Sequence, residues 1–140
     1  FNLFGVTGTN GKTTTVFLID SILRSIGSKT GMLGTIFCRI GDEIISSDRT
    51  TPESSDLQNL FFSMAEKKVS DVCMEVSSHS LELDRVYGCN FNVALFTNLS
   101  QDHLDFHGNM SSYFKSKMKL FQILAVKFTC ECVRKKYKGC

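Results

Sequence analysis

Gly5-Val6-Thr7-Gly8-Thr9-Asn10-Gly11-Lys12-Thr13-Thr14-Thr15 is the stretch on which the fold of this chain turns. Before it, Asn2 to Thr7 reads as a first strand. After it, Thr13 to Ile26 repeats Val16, Ile19, Leu23 and Ile26 on one helical face, with Gly27 placed to end the helix. Glycines between a strand and a helix let backbone N–H groups converge on anionic oxygens, and the helix N-terminus adds positive potential. Gly8, Thr9, Asn10, Gly11, Lys12, Thr13 and Thr14 are therefore the expected phosphate-binding residues, with Lys12 reaching the β- and γ-phosphates and the Thr13 hydroxyl holding Mg²⁺. The strict G-x-x-x-x-G-K-[ST] pattern asks for glycine where this chain has Val6, so the loop is a variant. Glycine-rich turns also occur without nucleotide, but strand, Gly-Lys-Thr-Thr and helix in succession point to ATP or GTP.

Outward from the loop, apolar strand-like runs alternate with amphipathic helical ones. That alternation predicts an α/β fold of three layers, a mainly parallel sheet flanked by helices. Residues 32 to 47 read as a β-hairpin or a pair of short strands around Gly41-Asp42. Pro52 behind Thr51 is expected at the first position of a second helix, whose apolar face is Leu57, Leu60, Phe61 and Met64. Val72 to Val76 and Val93 to Thr97 read as buried strands, each followed by serine, histidine and aspartate. Open parallel sheets bind ligands at the carboxyl ends of their strands, where those polar residues fall.

A phosphate loop needs a second metal anchor, normally an acid at the end of a neighbouring strand. Glu75, inside an apolar run, stands at such an end. Buried unpaired it would be costly, so it is expected to meet a cation, the alternative being a partly exposed edge position. Thr97 to Gly108 packs two aspartates and two histidines into six positions, a second ligand set or a solvated helix cap. His103 is the expected direct metal contact, with His107 behind it, although imidazole suits Mn²⁺ or Zn²⁺ better than Mg²⁺. In a helix from Ser112 to Leu124, Tyr113, Lys117 and Phe121 share one apolar stripe. An ammonium there loses its hydration, and it must snorkel, pair with an acid or be chemically modified.

The 140 residues, 42% hydrophobic and 21% charged, suit one globular domain. There are no internal repeats, low-complexity tracts or linkers, and no apolar run approaches the ~20 residues that cross a bilayer. The start, Phe1 to Gly5, has neither a basic leader nor an initiator Met, as in a chain cut from something longer. The net charge of +2 hides a basic end: residues 125 to 140 hold five basic groups and one acid, leaving 11 basic and 13 acidic residues elsewhere. So short a run reads as solvated surface, and neither a nucleic-acid nor a membrane partner is expected. Cys38, Cys73 and Cys89 are far apart and read as free thiols in a reducing cytosol, while Cys130, Cys132 and Cys140 lack the paired spacing of a zinc site.

Taken together, TGTNGKTTT (Thr7 to Thr15), TTPE (Thr50 to Glu53), MEVSSHSL (Met74 to Leu81), FTNLSQDHLDFHG (Phe96 to Gly108) and YFKSK (Tyr113 to Lys117) resemble the Mur ligases, ATP-dependent amide-forming enzymes of peptidoglycan synthesis. Among these the set is most similar to the branch adding the third residue of the stem peptide. The similarity covers residues 1 to about 122 and implies a central ATPase domain, here residues 1–124 and incomplete, followed by an atypical tail, 125–140, that reads as foreign to that core. It implies that Lys12 and Thr13 bind ATP phosphates and Mg²⁺, that Glu75 and His103 bind metal, and that Asn98 lies on the nucleotide side. It also implies that Thr50, Thr51, Ser77 and Arg85 contact the UDP-muramoyl-dipeptide, and that Lys117 is a carbamylated lysine beside the metal. Lys12, His103 and Lys117 are the implied catalytic set. The implied reaction, in a bacterial cytoplasm, activates the substrate carboxylate as an acyl phosphate, which the amine of lysine or meso-diaminopimelate then attacks.

Nothing corresponds to the family's N-terminal uridine-holding domain or its C-terminal domain selecting the amino acid, so the 140 residues alone are expected not to turn over. Three alternatives stand beside this: a P-loop kinase or GTPase, for which no NKxD-type base reader or kinase lid is found; a folylpolyglutamate-type ligase sharing the GTNGK core; and a module that binds nucleotide without turnover.

Overall fold

The computed structural model describes residues 1–46 and 49–136, with side chains as far as residue 124. One sheet holds β1 (Asn2–Thr7), β2 (Thr30–Leu33), β3 (Phe37–Ile40), β4 (Glu43–Ser46), β5 (Asp71–Glu75) and β6 (Val93–Phe96) in the order β4-β3-β2-β5-β1-β6. β1 lies parallel between β5 and β6, and β2 is parallel to β5. Only β3 and β4 add antiparallel pairings. The helices are α1 (Lys12–Ser25), α2 (Ser54–Glu66), α3 (Ser78–Glu82), α4 (Leu104–His107) and α5 (Met110–Lys136). The expected α/β architecture, a mainly parallel sheet flanked by helices, is what forms.

Strand side chains alternate between faces, and both faces of this sheet are covered. Val6 and Cys73 pack with Val16 of α1 and Met32 of β2. Leu3, Val72 and Met74 turn the other way, onto Leu57 and Met64 of α2, Leu81 of α3 and Leu120 of α5. Each such fully buried side chain stabilises by roughly 1.5–3 kcal/mol. Val6 is wholly buried under α1, which accounts for an apolar residue where the strict phosphate-loop pattern has glycine.

Several expectations need correcting. Residues 32 and 33 belong to β2, a separate strand, and the hairpin is β3–β4 alone, turning at Gly41-Asp42. Pro52 does not open α2; the helix starts at Ser54 with Glu53 as its N-cap. Thr51 is tied to the end of β5, its hydroxyl donating to the Glu75 carbonyl, and Glu53 is still extended at φ −65°, ψ 159°. Ile26 lies past the end of α1 and is 74% exposed, because Gly27 at φ +86° turns the chain there. β6 is not buried: it is an edge strand, paired only with β1 among the described residues, and Val93 is 37% exposed. The last helix exceeds Ser112 to Leu124 at both ends, and its backbone continues to Lys136.

Cys38, Cys73 and Cys89 are free and buried. The side chains of Cys130 and Cys132, all of Cys140, and with them the reading of the basic tail's side chains, lie outside the described residues. Among the described residues no helix is long and apolar enough to cross a membrane.

Candidate functional site

The carboxyl ends of β1, β5 and β6 are neighbours, so the loops after them meet. The loop after β1 is shaped by Gly8, at φ +137°, where a Cβ would stand 2.0 Å from the Thr97 hydroxyl oxygen and 3.1 Å from the Asn98 backbone. Only glycine fits so close an approach. Gly11, in the left-handed conformation, is the N-cap of α1, whose first turn has no side-chain cap and no acid. Asn98 supports the loop like an extra strand residue, its Oδ1 accepting from Asn10 N at 3.1 Å and its Nδ2 donating to Asn10 O at 3.0 Å. Its backbone oxygen accepts from Thr9 N at 2.9 Å.

Lys12 Nζ donates to Gly8 O at 3.0 Å and Thr9 O at 2.7 Å, and Lys117 Nζ, arriving from α5, donates to the same Gly8 O at 2.8 Å. Two ammonium groups thus meet on one carbonyl oxygen. Burial lowers the pKa of both; Glu75 and Asp102 oppose the shift at Lys12, while Lys12 itself helps push Lys117 down to about 8. Lys117 is 1% exposed and lies 4.3 Å from the Tyr113 ring centre, so it is buried rather than snorkelling. The Tyr113 hydroxyl is 3.1 Å from Thr9 Oγ1. Thr9 gives its one proton to Ser100 O and accepts from Ser100 N, so Tyr113 is the donor to Thr9. Thr14 is exposed on the first turn of α1.

Glu75 ends β5 at 1% exposure. Its Oε1 accepts from Thr13 Oγ1 at 3.0 Å and Thr35 N at 2.9 Å, and its Oε2 accepts from Thr35 Oγ1 at 3.2 Å. A carboxylate and a hydroxyl side by side are hard oxygen donors of the kind Mg²⁺ takes. No three His, Cys, Asp or Glu side chains gather as a metal-binding group among the described residues. The donor set therefore fits a cation that keeps most of its waters and phosphate oxygens, as Mg²⁺ does.

All three histidines of the chain meet beside α5: the His79 ring is 4.8 Å from His103 and 5.5 Å from His107. Burial lowers the pKa of His79 and His107, with neighbouring histidine charge adding to it. His107 Nε2 is 3.0 Å from Ser78 Oγ. His103, half exposed and strained at φ +51°, has Asp102 Oδ2 3.3 Å from its Nε2. Its ring contacts are with Asp102, His79 and Tyr113.

Thr50, Thr51, Ser77 and Arg85 are gathered around the same end of β5. Thr50 Oγ1 is 3.0 Å from Thr35 Oγ1; Thr51 Oγ1 donates to Glu75 O at 2.9 Å and accepts from Ser77 N at 3.2 Å. Ser77 caps α3 by accepting from Ser80 N. Arg85 Nη2 pairs with Glu53 at 2.9 Å, and its buried Nε has no hydrogen-bond partner among the described residues. Thr35 escaped the sequence reading, as did the roles of Asp102 and of the Tyr113 hydroxyl. The available signal for Thr35 was its place just after β2, but its relation to Glu75 needs the strand order that sets β2 beside β5.

The family model described as Mur ligase middle domain matches residues 6–129. A UDP-N-acetylmuramoyl-L-alanyl-D-glutamate–2,6-diaminopimelate ligase of Clostridium botulinum is 58% identical over 120 residues, covering 86% of this chain and 25% of that protein. The ligase of the same name from Bacillus velezensis is 48% identical over 129 residues, covering 92% of this chain and 26% of that protein. A solved structure of a ligase of this name superposes with a TM-score of 0.78 at 35% identity, covering 88% of this chain and 25% of the other. The chain thus spans about a quarter of the length of the relatives it matches. By this match over most of its length, and with the phosphate loop, Glu75 and Lys117 lying at one end of the sheet, the chain belongs to the Mur ligase family, in its middle domain.

Proposed function

We propose that this chain is the ATP-binding core of a ligase that joins 2,6-diaminopimelate to UDP-N-acetylmuramoyl-L-alanyl-D-glutamate in peptidoglycan precursor synthesis, in a bacterial cytoplasm. One observation carries it: Lys12 and Lys117 converge on Gly8 O beside the uncapped start of α1 and the Thr13–Glu75 pair. A triphosphate with Mg²⁺ supplies the anion that the ammoniums lack and the cation that the carboxylate lacks. The names of the relatives favour 2,6-diaminopimelate over lysine.

In this reading Gly8 to Thr14 hold the ATP phosphates, with Asn98 fixing the loop's shape. Thr13 and Glu75 hold Mg²⁺, which neutralises charge on the transferred phosphoryl group, and His103 and a carbamylated Lys117 add ligands. Thr50, Thr51, Ser77 and Arg85 position the muramoyl-dipeptide so that its terminal carboxylate faces the γ-phosphate. Lys12 offsets the negative charge that gathers as that carboxylate becomes an acyl phosphate. The amine of the diamino acid then attacks the carbonyl, and phosphate leaves.

Residues 1–124 supply the ATP-binding part, residues 125–140 are an atypical basic tail in sequence, and neither nucleic acid nor membrane is a partner. N- and C-terminal domains complete the enzyme, so the 140 residues bind nucleotide without turnover. That second reading is favoured by the chain's spanning a quarter of its relatives. The test is to supply full-length protein and the 140-residue chain with ATP, Mg²⁺, the UDP-muramoyl-dipeptide and either diaminopimelate or lysine. Tripeptide product and ADP are expected from the full-length protein with diaminopimelate only. Product with neither amino acid, or glutamate addition to a folate instead, would overturn the assignment.

A further inference from the structure

Thr35 lies between the residue proposed to hold the cation and a residue proposed to meet the substrate. Its amide and hydroxyl both reach the Glu75 carboxylate, at 2.9 and 3.2 Å, and its hydroxyl oxygen is 3.0 Å from that of Thr50. Next to it, Gly34 leaves no room: a Cβ there would stand 2.6 Å from Glu75 Oε1. The carboxylate is pressed against this turn, and two of its three hydrogen bonds among the described residues come from Thr35.

Proton counting fixes the direction of the chain. A carboxylate only accepts, and a hydroxyl has one proton and two lone pairs. The Thr35 hydroxyl faces two acceptors, Glu75 Oε2 at 3.2 Å and Thr50 Oγ1 at 3.0 Å, and has one proton to share between them. The proton of Thr50 is left for a substrate oxygen, and a hydroxyl that donates becomes a stronger acceptor. Occupancy of the substrate side therefore draws the Thr35 proton towards Thr50 and releases Oε2.

We propose that Thr35 is a positioning residue that aims the Glu75 carboxylate and transmits occupancy of the substrate side, through the Thr50 hydroxyl, to the cation side. This rests on the functional reading above. It predicts that the muramoyl-dipeptide tightens binding of the divalent cation, because the freed Oε2 is a better ligand, and that binding of the cation tightens the dipeptide by the same factor.

The test uses full-length protein with a non-hydrolysable ATP analogue. Mn²⁺ affinity is followed by electron paramagnetic resonance, with and without the dipeptide, in wild type, Thr35→Val, Thr35→Ser and Thr50→Val. Thr35→Val, which frees Oε2 for good while keeping the amide bond to Oε1, is expected to bind Mn²⁺ without the dipeptide as tightly as wild type does with it, and to lose the dipeptide effect. Thr35→Ser keeps the wild-type affinity and the dipeptide effect, and Thr50→Val loses the coupling at saturating dipeptide. Equal coupling in wild type and Thr50→Val, or Thr35→Ser behaving like Thr35→Val, overturns the role assigned to Thr35. Absence of analogue-dependent Mn²⁺ binding in wild type overturns the functional reading itself, and the inference with it.

Discussion

Lys117 has exchanged water for the Gly8 carbonyl and the Tyr113 ring face, a poor exchange for an ammonium beside a second lysine. CO₂ adds to the neutral form of an amine, and the carbamylation proposed above would make of Lys117 an anion suited to Lys12 and Mg²⁺. Full-length protein equilibrated with ¹³C-bicarbonate is expected to give a carbamate carbon resonance that Lys117→Ala lacks. That variant should lose activity by at least ~10²-fold and regain part of it with formate or acetate, small carboxylates that refill the position. A Lys117→Ala enzyme of unchanged activity would remove Lys117 from the chemistry. The burial of Lys117 was legible from its i, i+4, i+8 place on the stripe with Tyr113 and Phe121. Its target on the phosphate loop, a carbonyl 109 positions away, was not, because helical periodicity reports a face and never the neighbour of that face.

At the scale of elements, α5 acts as a strap across the phosphate loop, fastened by Lys117 on Gly8 and by Tyr113 on Thr9. Thr9 Oγ1 is also tied to both the amide and carbonyl of Ser100, so one hydroxyl joins three segments. Tyr113→Phe removes a donor without altering the ring and leaves a buried lone pair unsatisfied, at a cost of about 1–2 kcal/mol. Thermal melting should record that loss. Amide exchange should speed up at Gly8 to Asn10 while the protection of β2 and α2 is unchanged; uniform acceleration would contradict a local strap. Strand–loop–helix units with strong periodicity, β1 and α1 above all, could be read from residues alone. β2 could not, since Thr30-Gly31-Met32-Leu33 is four residues long and has no alternation to count. The start of α2 was misplaced because proline position was weighed and the distant claim of Glu75 O on Thr51 was invisible.

The whole molecule is held in register by a pair that its composition conceals. Asp20 stands on the inward face of α1, one turn after Val16, and Arg39 lies in β3 on the antiparallel flank of the sheet. Their side chains are only 10% and 8% exposed and meet at 2.5 Å, and the guanidinium also donates to Thr30 Oγ1 at 3.0 Å and to the Gly41 carbonyl. An acid on an apolar helical stripe offers no hint of its partner until the β2–β3 pairing brings Arg39 opposite Met32. This knot links α1, which opens at the phosphate loop, to β2, which ends at Leu33, two residues before Thr35. Removing one partner strands the other charge in the interior, whereas replacing both by apolar groups of similar volume does not. Asp20→Ala should therefore lower unfolding free energy by about 3–5 kcal/mol, a large part of the 5–15 kcal/mol typical of a domain. Asp20→Leu combined with Arg39→Met should recover most of that loss, and urea titration of the two single variants and the double variant measures the coupling directly. Additive losses, with the double variant as unstable as the sum of the singles, would mean that the ion pair does not clasp helix to sheet and that apolar packing under α1 alone sets the geometry of the loop above it.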